Sequence, residues 1–173
     1  MTPFVAGNVI VLLRTGDEYF PALLDAIAAA RAEVFLETYI FQDDPTGRLV
    51  ADALADASRR GVRVRLLVDG FGAANLNAAL RGRLEPAGVH VQVFRPERDG
   101  FRLRRHRLRR LHRKLVVIDG VVGFCGGINV QDDRDGLEKE NPRFDFAVRV
   151  TGPIVEEMHR AVRRLWLLVE WTS

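Results

Sequence analysis

Short runs of β-branched residues alternate with longer amphipathic segments along this chain, and that alternation constrains the fold more than any other feature. Strands are predicted at 8–14, 33–41, 62–69, 89–94, 114–119, 121–125 and 144–150, and helices at 17–31, 46–60, 75–84 and 152–171. Strands that alternate with helices of crossover length are typical of a mixed sheet covered by helices. The sequence therefore predicts an α/β fold, an αβα sandwich with a mixed central sheet, as a single domain over residues 1–173.

The charge of the chain is concentrated in one segment. Arg98–Lys114 contains nine Lys or Arg and one acid, a net charge of +8, and the remainder carries −5. A basic segment on an otherwise acidic domain indicates an anionic partner, either phospholipid head groups or nucleic acid, and a solvated arginine-rich loop is the simpler alternative. No run of 18 apolar residues and no secretory signal is present, so we expect no transmembrane segment in this sequence.

A histidine and a lysine two residues apart form the centre of the candidate site. Lys114 begins a predicted strand and His112 lies just before it, and in extended backbone this spacing puts both side chains on one face. An imidazole can attack a phosphodiester while an ammonium neutralises a non-bridging oxygen. Lys114 is one of two lysines beside 24 arginines, and its compact head suits a small phosphoryl pocket. Asn129, which ends a Gly126–Gly127 turn, is a candidate for one more donor to that oxygen.

Other residue patterns argue for or against alternative chemistry. The chain has no H-E-x-x-H, no Cys/His cluster and no P-loop, so we expect neither a metal site nor a nucleotide cofactor. Glu37 lies among apolar strand residues, which suggests a site role, although a strand-end carboxylate is the simpler explanation. Cys125 lies in an apolar run without a basic neighbour, and an inert buried thiol is expected there.

These residues together resemble the signature of the phospholipase D superfamily. The pattern is H-x-K-x-x-x-x-D, six residues, then G-G-x-N, and its six fixed positions are His112, Lys114, Asp119, Gly126, Gly127 and Asn129. The flanking stretches GNVIVLLRTGDEYFPALLDAI, RRGVRVRLLVDGFG and DFAVRVTGPIVEEMHR are similar to the N-terminal half of bacterial cardiolipin synthases. The resemblance covers nearly the whole chain, except for 73–110 and 131–143.

The resemblance implies a role for each matching residue. His112 would be the nucleophile that forms a phosphohistidine, or the acid for the leaving alkoxide, and no metal ion or other cofactor would be required. Asp119 would be mainly structural within the motif, and Asp145 would hydrogen-bond the second ring nitrogen of His112. The expected catalytic set is His112, Lys114, Asp119, Asn129 and Asp145, and the expected substrate-binding set is Gly126, Gly127, Arg109, Arg110, Arg113 and Glu37.

The sequence departs from the family pattern in carrying a single motif. His90, His106 and His159 have no lysine two residues further on. A double displacement needs both a nucleophile and an acid, so the second histidine would come from a homodimer partner or from a second half of the same parent chain. The length of the sequence favours an N-terminal fragment of a two-motif enzyme.

Three functions follow from these features. The favoured one is phosphatidyl transfer between phosphatidylglycerol-like lipids at the cytoplasmic face of the inner membrane, with the Arg98–Arg113 segment on anionic head groups. A dimeric nuclease of the same superfamily is the second. Single-strand binders interleave aromatic and basic residues, and because only Phe101 is aromatic between 98 and 113, lipid is preferred. A non-catalytic half-domain that binds anionic surfaces is the third.

Overall fold

Seven strands form one mixed sheet in the computed structural model, which describes residues 5–72, 76, 78–96, 110–132 and 143–172. The strands are β1 (Val9–Arg14), β2 (Glu33–Thr38), β3 (Arg63–Asp69), β4 (His90–Phe94), β5 (Lys114–Ile118), β6 (Val122–Gly126) and β7 (Phe146–Thr151). The helices are α1 (Thr15–Ala29), α2 (Pro45–Arg59), α3 (Ala78–Leu84) and α4 (Ile154–Thr172), with a 3₁₀ turn at Glu85–Ala87. The predicted strands and helices are confirmed, with ends shifted by a few residues.

The order of the strands is β1-β7-β6-β5-β2-β3-β4. Strands β2, β3 and β4 are parallel, whereas β5, β6, β7 and β1 pair antiparallel to their neighbours. This pattern confirms the predicted mixed sheet. It also brings the last residues of β2, β3, β4 and β6 and the first residues of β5 and β7 to one end of the sheet, which we call the site edge.

Helices cover both faces of the sheet, as the predicted αβα sandwich requires. The larger core lies under α1, α2 and α3 and includes Leu23, Leu54, Leu80 and Phe124. The second core lies under α4 and includes Phe35, Leu67, Val117 and Trp166. Every residue of β5 is buried, because this central strand is covered on both faces. None of the helices in the described ranges combines the length and hydropathy that a bilayer-spanning segment requires.

Strand β1 is an exception to this coverage. Its side chains Val9, Ile10, Val11 and Leu12 are between 43% and 64% exposed, although a continuous apolar run is typical of a strand covered on both faces. Within the described residues β1 pairs with β7 on one side and leaves its other edge open. The groove between β1, α1 and the β5–β6 turn has a volume of about 560 Å³ and an apolar lining that includes Val11, Ala22 and Val122.

Cys125 does not have the burial that its apolar surroundings predicted. It is exposed, opposite Leu115 and Val148 on the face that α4 covers. Helix α4 packs closely on β6 at Gly123, where a Cβ atom would lie 2.4 Å from the methyl group of Met158. Cys125 lies two residues further toward the site edge. The expectation of a buried thiol was therefore wrong.

Asp119 connects β5 to the start of β2 at the opposite end of the sheet. Its carboxylate accepts hydrogen bonds from the backbone N–H groups of Arg31, Ala32 and Glu33, each at 2.8 Å, while its own N–H donates to Glu33 O. Asp119 has a positive φ of 53°, as expected for an Asp in a tight turn. Partial burial acts to raise the pKa of this carboxyl, but the three backbone donors outweigh it and hold the pKa below its ordinary value.

We predict that Asp119→Ala lowers the free energy of unfolding by about 2 kcal/mol at neutral pH, because three charge-assisted hydrogen bonds are lost. The contribution of Asp119 should be complete above about pH 4 and disappear as the pH falls through the depressed pKa of the folded state. Urea unfolding at several pH values measures both effects. Asp25→Asn, on the exposed face of α1, is the matched control, and an equal loss in both variants would contradict the prediction.

Candidate functional site

His112 and Lys114 meet at the site edge as their spacing predicted. Lys114 is the first residue of β5 and is only 7% exposed, whereas His112 precedes the strand and is exposed. The ammonium of Lys114 lies 3.5 Å from His112 Nε2 and donates to His112 O at 3.2 Å. A lysine ammonium can donate to Nε2 only when that nitrogen carries its lone pair. An imidazole that attacks phosphorus through Nε2 needs the same lone pair.

Tyr39 forms one wall of this site and was not identified from the sequence. Its ring centroid lies 4.9 Å from the ring of His112, and Lys114 Nζ lies 5.3 Å from the same centroid. The aromatic face therefore packs against the imidazole and interacts favourably with the buried cation. Tyr39 directly follows β2 in a run of large apolar residues, so nothing local distinguished it from a core side chain.

The environment of Lys114 has two opposing effects on its charge. Burial lowers the pKa of Lys114 below its ordinary value, and the carboxylate of Asp145 acts to raise it. The effect of burial is the larger one, so the pKa of Lys114 stays below its ordinary value. Asp145 therefore acts electrostatically on the lysine from the start of β7.

The position of Asp145 differs from the expected contact with His112. Its Oδ1 accepts a hydrogen bond of 2.7 Å from the N–H of Phe146, and its backbone oxygen accepts one of 2.9 Å from Thr15 N. Among the described residues no hydrogen bond joins Asp145 to His112. The carboxylate instead lies over the backbone of Gly127. The described residues therefore do not show this contact, and the orientation of the imidazole by Asp145 stays a prediction.

Asn129 is held with its amide nitrogen available as a donor. Its Oδ1 accepts a hydrogen bond of 3.1 Å from Ile40 N, and because a backbone N–H can only donate, the assignment of Oδ1 follows from the chemistry. Next to it Val130 forms a parallel bridge with Phe41 and accepts from Gln42 N at 2.9 Å. The segment after the Gly-Gly pair is thus fixed against the residues that follow β2.

Gly126 and Gly127 are required for close approach of the neighbouring strand. A Cβ atom on Gly126 would lie 2.4 Å from Phe146 O, and one on Gly127 would lie 2.2 Å from Asp145 Oδ1. Neither glycine has a positive φ. Their role in this structure is therefore to admit β7 and Asp145, rather than to supply a backbone conformation that only glycine adopts.

Glu37 and Arg113 form an ion pair on the face of the sheet opposite to the Lys114 side chain. Glu37 pairs with Leu115 in the β2–β5 ladder, which puts it on the α4 side, and Arg113 points to that side because it lies between His112 and Lys114. Arg113 Nε donates to Glu37 Oε2, and its guanidinium also donates to Ala161 O at 3.3 Å. Glu37 is 2% exposed. The structure therefore does not bring these two predicted substrate ligands to the face of the sheet on which the Lys114 side chain lies.

Burial and Arg113 have opposite effects on Glu37. Burial raises the pKa of this carboxyl, and the guanidinium acts to lower it, with the raised direction prevailing.

Asp69 is a buried carboxylate that the sequence did not mark as part of the site. It ends β3, is 0% exposed, and accepts hydrogen bonds from Leu111 N at 2.6 Å and Phe71 N at 2.9 Å. Leu111 precedes β5, which begins at Lys114, so its backbone N–H is not paired with a neighbouring strand of the sheet. Asp69 therefore holds the segment that leads into His112. Arg110 lies above it, with NH1 3.8 Å from Oδ1.

The remaining predicted residues have three different outcomes. Arg110 lies at the site edge, where its guanidinium is 5.7 Å from the ring of Phe71. Asp119 is at the far end of β5, about 17 Å from Lys114 at the usual rise per residue, so the structure does not bring it to the other motif residues. Arg109 and Phe101 lie outside the described residues. Within the described ranges, no group of three or more His, Cys, Asp or Glu side chains could hold a metal ion.

Comparison with protein families gives one match over most of the chain. Residues 23–166 match the family described as "Cardiolipin synthase, PLD-like domain". Cardiolipin synthase B of Salmonella typhimurium is 40% identical over 152 residues, which are 88% of this chain and 37% of the relative. Cardiolipin synthase B of Escherichia coli K12 is 36% identical over 170 residues, covering 92% and 41%. The chain therefore spans about two fifths of the length of these curated relatives.

Solved structures show the same fold at low sequence identity. Nuc of Salmonella typhimurium, described as a phospholipase D family member, superposes with a TM-score of 0.66 at 18% identity, covering 92% of this chain and 95% of that one. NucT of Helicobacter pylori gives a TM-score of 0.66 at 17% identity, covering 94% and 96%. These superpositions show that the chain shares the fold of both structures.

We predict that Arg113→Leu lowers the free energy of unfolding by about 2 kcal/mol, because it leaves the Glu37 carboxylate buried without its partner, while the partial exposure of Arg113 limits the cost. Adding Glu37→Gln removes that unpaired charge, so the double variant should be more stable than Arg113→Leu alone. Thermal or urea unfolding of the two single variants and the double variant measures the coupling. Strictly additive losses would contradict it.

Proposed function

Because the chain belongs to the cardiolipin synthase family of phospholipase D-like domains, we propose that it supplies one half of a site for phosphatidyl transfer between phosphatidylglycerol-like lipids. The observation that carries this proposal is the pairing of an exposed His112 with a buried Lys114, whose ammonium lies 3.5 Å from Nε2. Water as acceptor would give phospholipase D-type hydrolysis by the same route.

His112 would act as the nucleophile. Its Nε2 attacks phosphorus, the N–P bond forms, and the P–O bond to the departing alcohol breaks as that oxygen takes a proton from a second histidine. The hydroxyl of the acceptor lipid then gives its proton to the second histidine and attacks phosphorus, and the N–P bond breaks. Lys114 and the Nδ2 of Asn129 would bind the non-bridging oxygens, where charge develops in the transition state.

The second histidine would come from another phospholipase D-like domain. We propose that this chain is one such domain, with the partner supplied either by a second half of the parent protein or by a second copy. Because the curated relatives are more than twice as long as the matched region, a second half is favoured. The site would work at the cytoplasmic surface of the inner membrane, with the domain bound peripherally to anionic lipid.

A second substrate class has one observation in its favour. Tyr39 and Phe71 are stacked with their ring centroids 6.2 Å apart and their planes 9° apart, beside His112. Neither ring belongs to the segment 98–113, because both come from loops after earlier strands. Stacked aromatics beside a cation also suit the bases of a single nucleic acid strand. Lipid remains preferred because the relatives at 36–40% identity are cardiolipin synthases.

The test of the proposed function is turnover of phosphatidylglycerol vesicles, with products separated by mass spectrometry and the mass of the protein followed by light scattering. The expected result is cardiolipin formation by an assembly that contains two motifs, abolished by His112→Ala and reduced at least 100-fold by Lys114→Ala. Single-stranded DNA is offered in parallel. Cleavage of DNA without lipid turnover would replace the proposal, and unchanged turnover in His112→Ala would overturn it.

We predict that the affinity of the site for a phosphodiester falls at high pH, because the ammonium of Lys114 loses its proton below the ordinary lysine range. Dimethyl phosphate is a suitable probe, since its own charge is constant from about pH 7 to about pH 10. Asp145→Asn removes the carboxylate that acts to raise the pKa of Lys114, so affinity should be lost at lower pH than in the natural sequence.

Lys114→Arg is the matched control for this prediction, because a guanidinium stays charged over the whole range. Its affinity for dimethyl phosphate, measured by NMR titration, should not change with pH on the alkaline side. An alkaline loss at the same pH in all three proteins would show that another group is responsible.

A further inference from the structure

The exposed phenylalanines of this chain are concentrated at the site edge. Eight of the ten phenylalanines lie in the described residues, and five of these eight are buried or half-buried. The other three are Phe71, 58% exposed, Phe144, 73% exposed, and Phe146, 41% exposed. All three lie at the end of the sheet that carries His112. Exposed aromatic rings around a reactive group indicate a surface with a binding role.

These rings lie on two flanks of His112. Phe71 follows β3 and Phe146 begins β7, and each of these strands is two positions from β5 in the sheet. At the usual strand spacing each flank is about 10 Å from the histidine. Phe144 packs edge-to-face on Phe146, with ring centroids 5.0 Å apart. The two flanks can therefore serve different partners.

The flank that contains Phe71 is cationic. The guanidinium of Arg110 lies 5.7 Å from the Phe71 ring, and Arg95 directly follows β4, the strand next to β3. The carboxylate that Arg110 faces, Asp69, is 0% exposed and accepts backbone hydrogen bonds. Arg110 also belongs to the basic segment Arg98–Lys114. Positive charge beside an exposed ring complements an anionic lipid surface, where arginine meets head groups and the ring enters the interface.

The other flank has mixed charge. Asp145 is exposed between Phe144 and Phe146, and Arg14 at the end of β1 is paired with Glu18 at 3.1 Å. This flank does not share the charge complementarity of the Phe71 side.

Phe71 is also linked to the nucleophile by direct contacts. Its ring is stacked on Tyr39, and the ring of Tyr39 is 4.9 Å from that of His112. When the phosphodiester of a lipid lies at His112, its glycerol and acyl chains extend out of the site. A path over Tyr39 and Phe71 keeps this apolar part on aromatic carbon instead of water.

We infer that Phe71 and Arg110 form the flank that docks on an anionic glycerophospholipid bilayer, so that a lipid reaches His112 across the ring of Tyr39. This inference rests on the proposed lipid substrate and adds the orientation of the domain on the membrane. The ring of Phe71 enters the interface, and the guanidinium of Arg110 contacts a neighbouring head group phosphate. The Phe144–Phe146 flank stays off the bilayer.

Vesicle binding tests this orientation without requiring turnover. Sedimentation with phosphatidylglycerol vesicles and with phosphatidylcholine vesicles measures the partition of the chain. Phe71→Ser and Arg110→Ser are each expected to reduce binding to the anionic vesicles at least tenfold, and Phe71→Trp is expected to retain it. Vesicle binding needs no turnover, so a failure of the catalytic proposal remains distinguishable from a failure of this one.

Two controls make the result specific to the flank. Val121→Ser removes a side chain of similar exposure, 61%, at the opposite end of the sheet, and Phe144→Ser removes the more exposed ring of the other flank. Neither should change vesicle binding. The inference is overturned if the natural sequence binds no anionic vesicles, or if Phe144→Ser loses binding while Phe71→Ser keeps it. It is also overturned if Phe71→Ser lowers the oligomeric mass in solution and leaves vesicle binding unchanged, because that flank would then contact a second copy.

Discussion

Complete burial of the central strand β5 is the constraint on which the rest of the structure depends. Its five residues Lys114–Ile118 pair with β2 on one side and β6 on the other, and helices cover both of its faces. The polar residues of the motif therefore have to lie at the two ends of the strand. His112 and Lys114 lie at one end and Asp119 at the other, so the spacing of the motif corresponds to the length of one buried strand. The same motif organises the reactive end and anchors the opposite end.

Local sequence patterns predicted the elements well because each of them has its own periodicity. The helices α1, α2 and α4 and all seven strands were located from side-chain spacing, and the pairing of His112 with Lys114 followed from alternation along a strand. The same alternation could have placed Arg113 on the other face, since it lies between those two residues. The prediction that Arg113 and Glu37 bind substrate gave more importance to their charge than to their direction.

The parts of the site that sequence did not predict come from contacts between distant segments. Tyr39, Asp69 and Phe71 each follow or end a strand, and only the order of the strands brings them beside His112. The position of Asp145 likewise depends on how closely β7 approaches Gly127. How closely two strands approach depends on the packing of both strands. The periodicity of one segment carries no information about it. The motif shows which groups are present, and the sheet decides which of them meet.

The open edge of β1 affects how this domain behaves in isolation. Within the described residues, four adjacent aliphatic side chains and the backbone edge that β7 does not pair form a template for another strand. Two copies joined there would share one continuous sheet of fourteen strands. Their histidines would then be separated by seven strand spacings, roughly 34 Å, which is too far to hold one phosphate. Self-association through this edge would thus produce a particle with the mass of a dimer whose two histidines cannot act on the same phosphate. A measurement of stoichiometry alone would not distinguish it from an assembled enzyme.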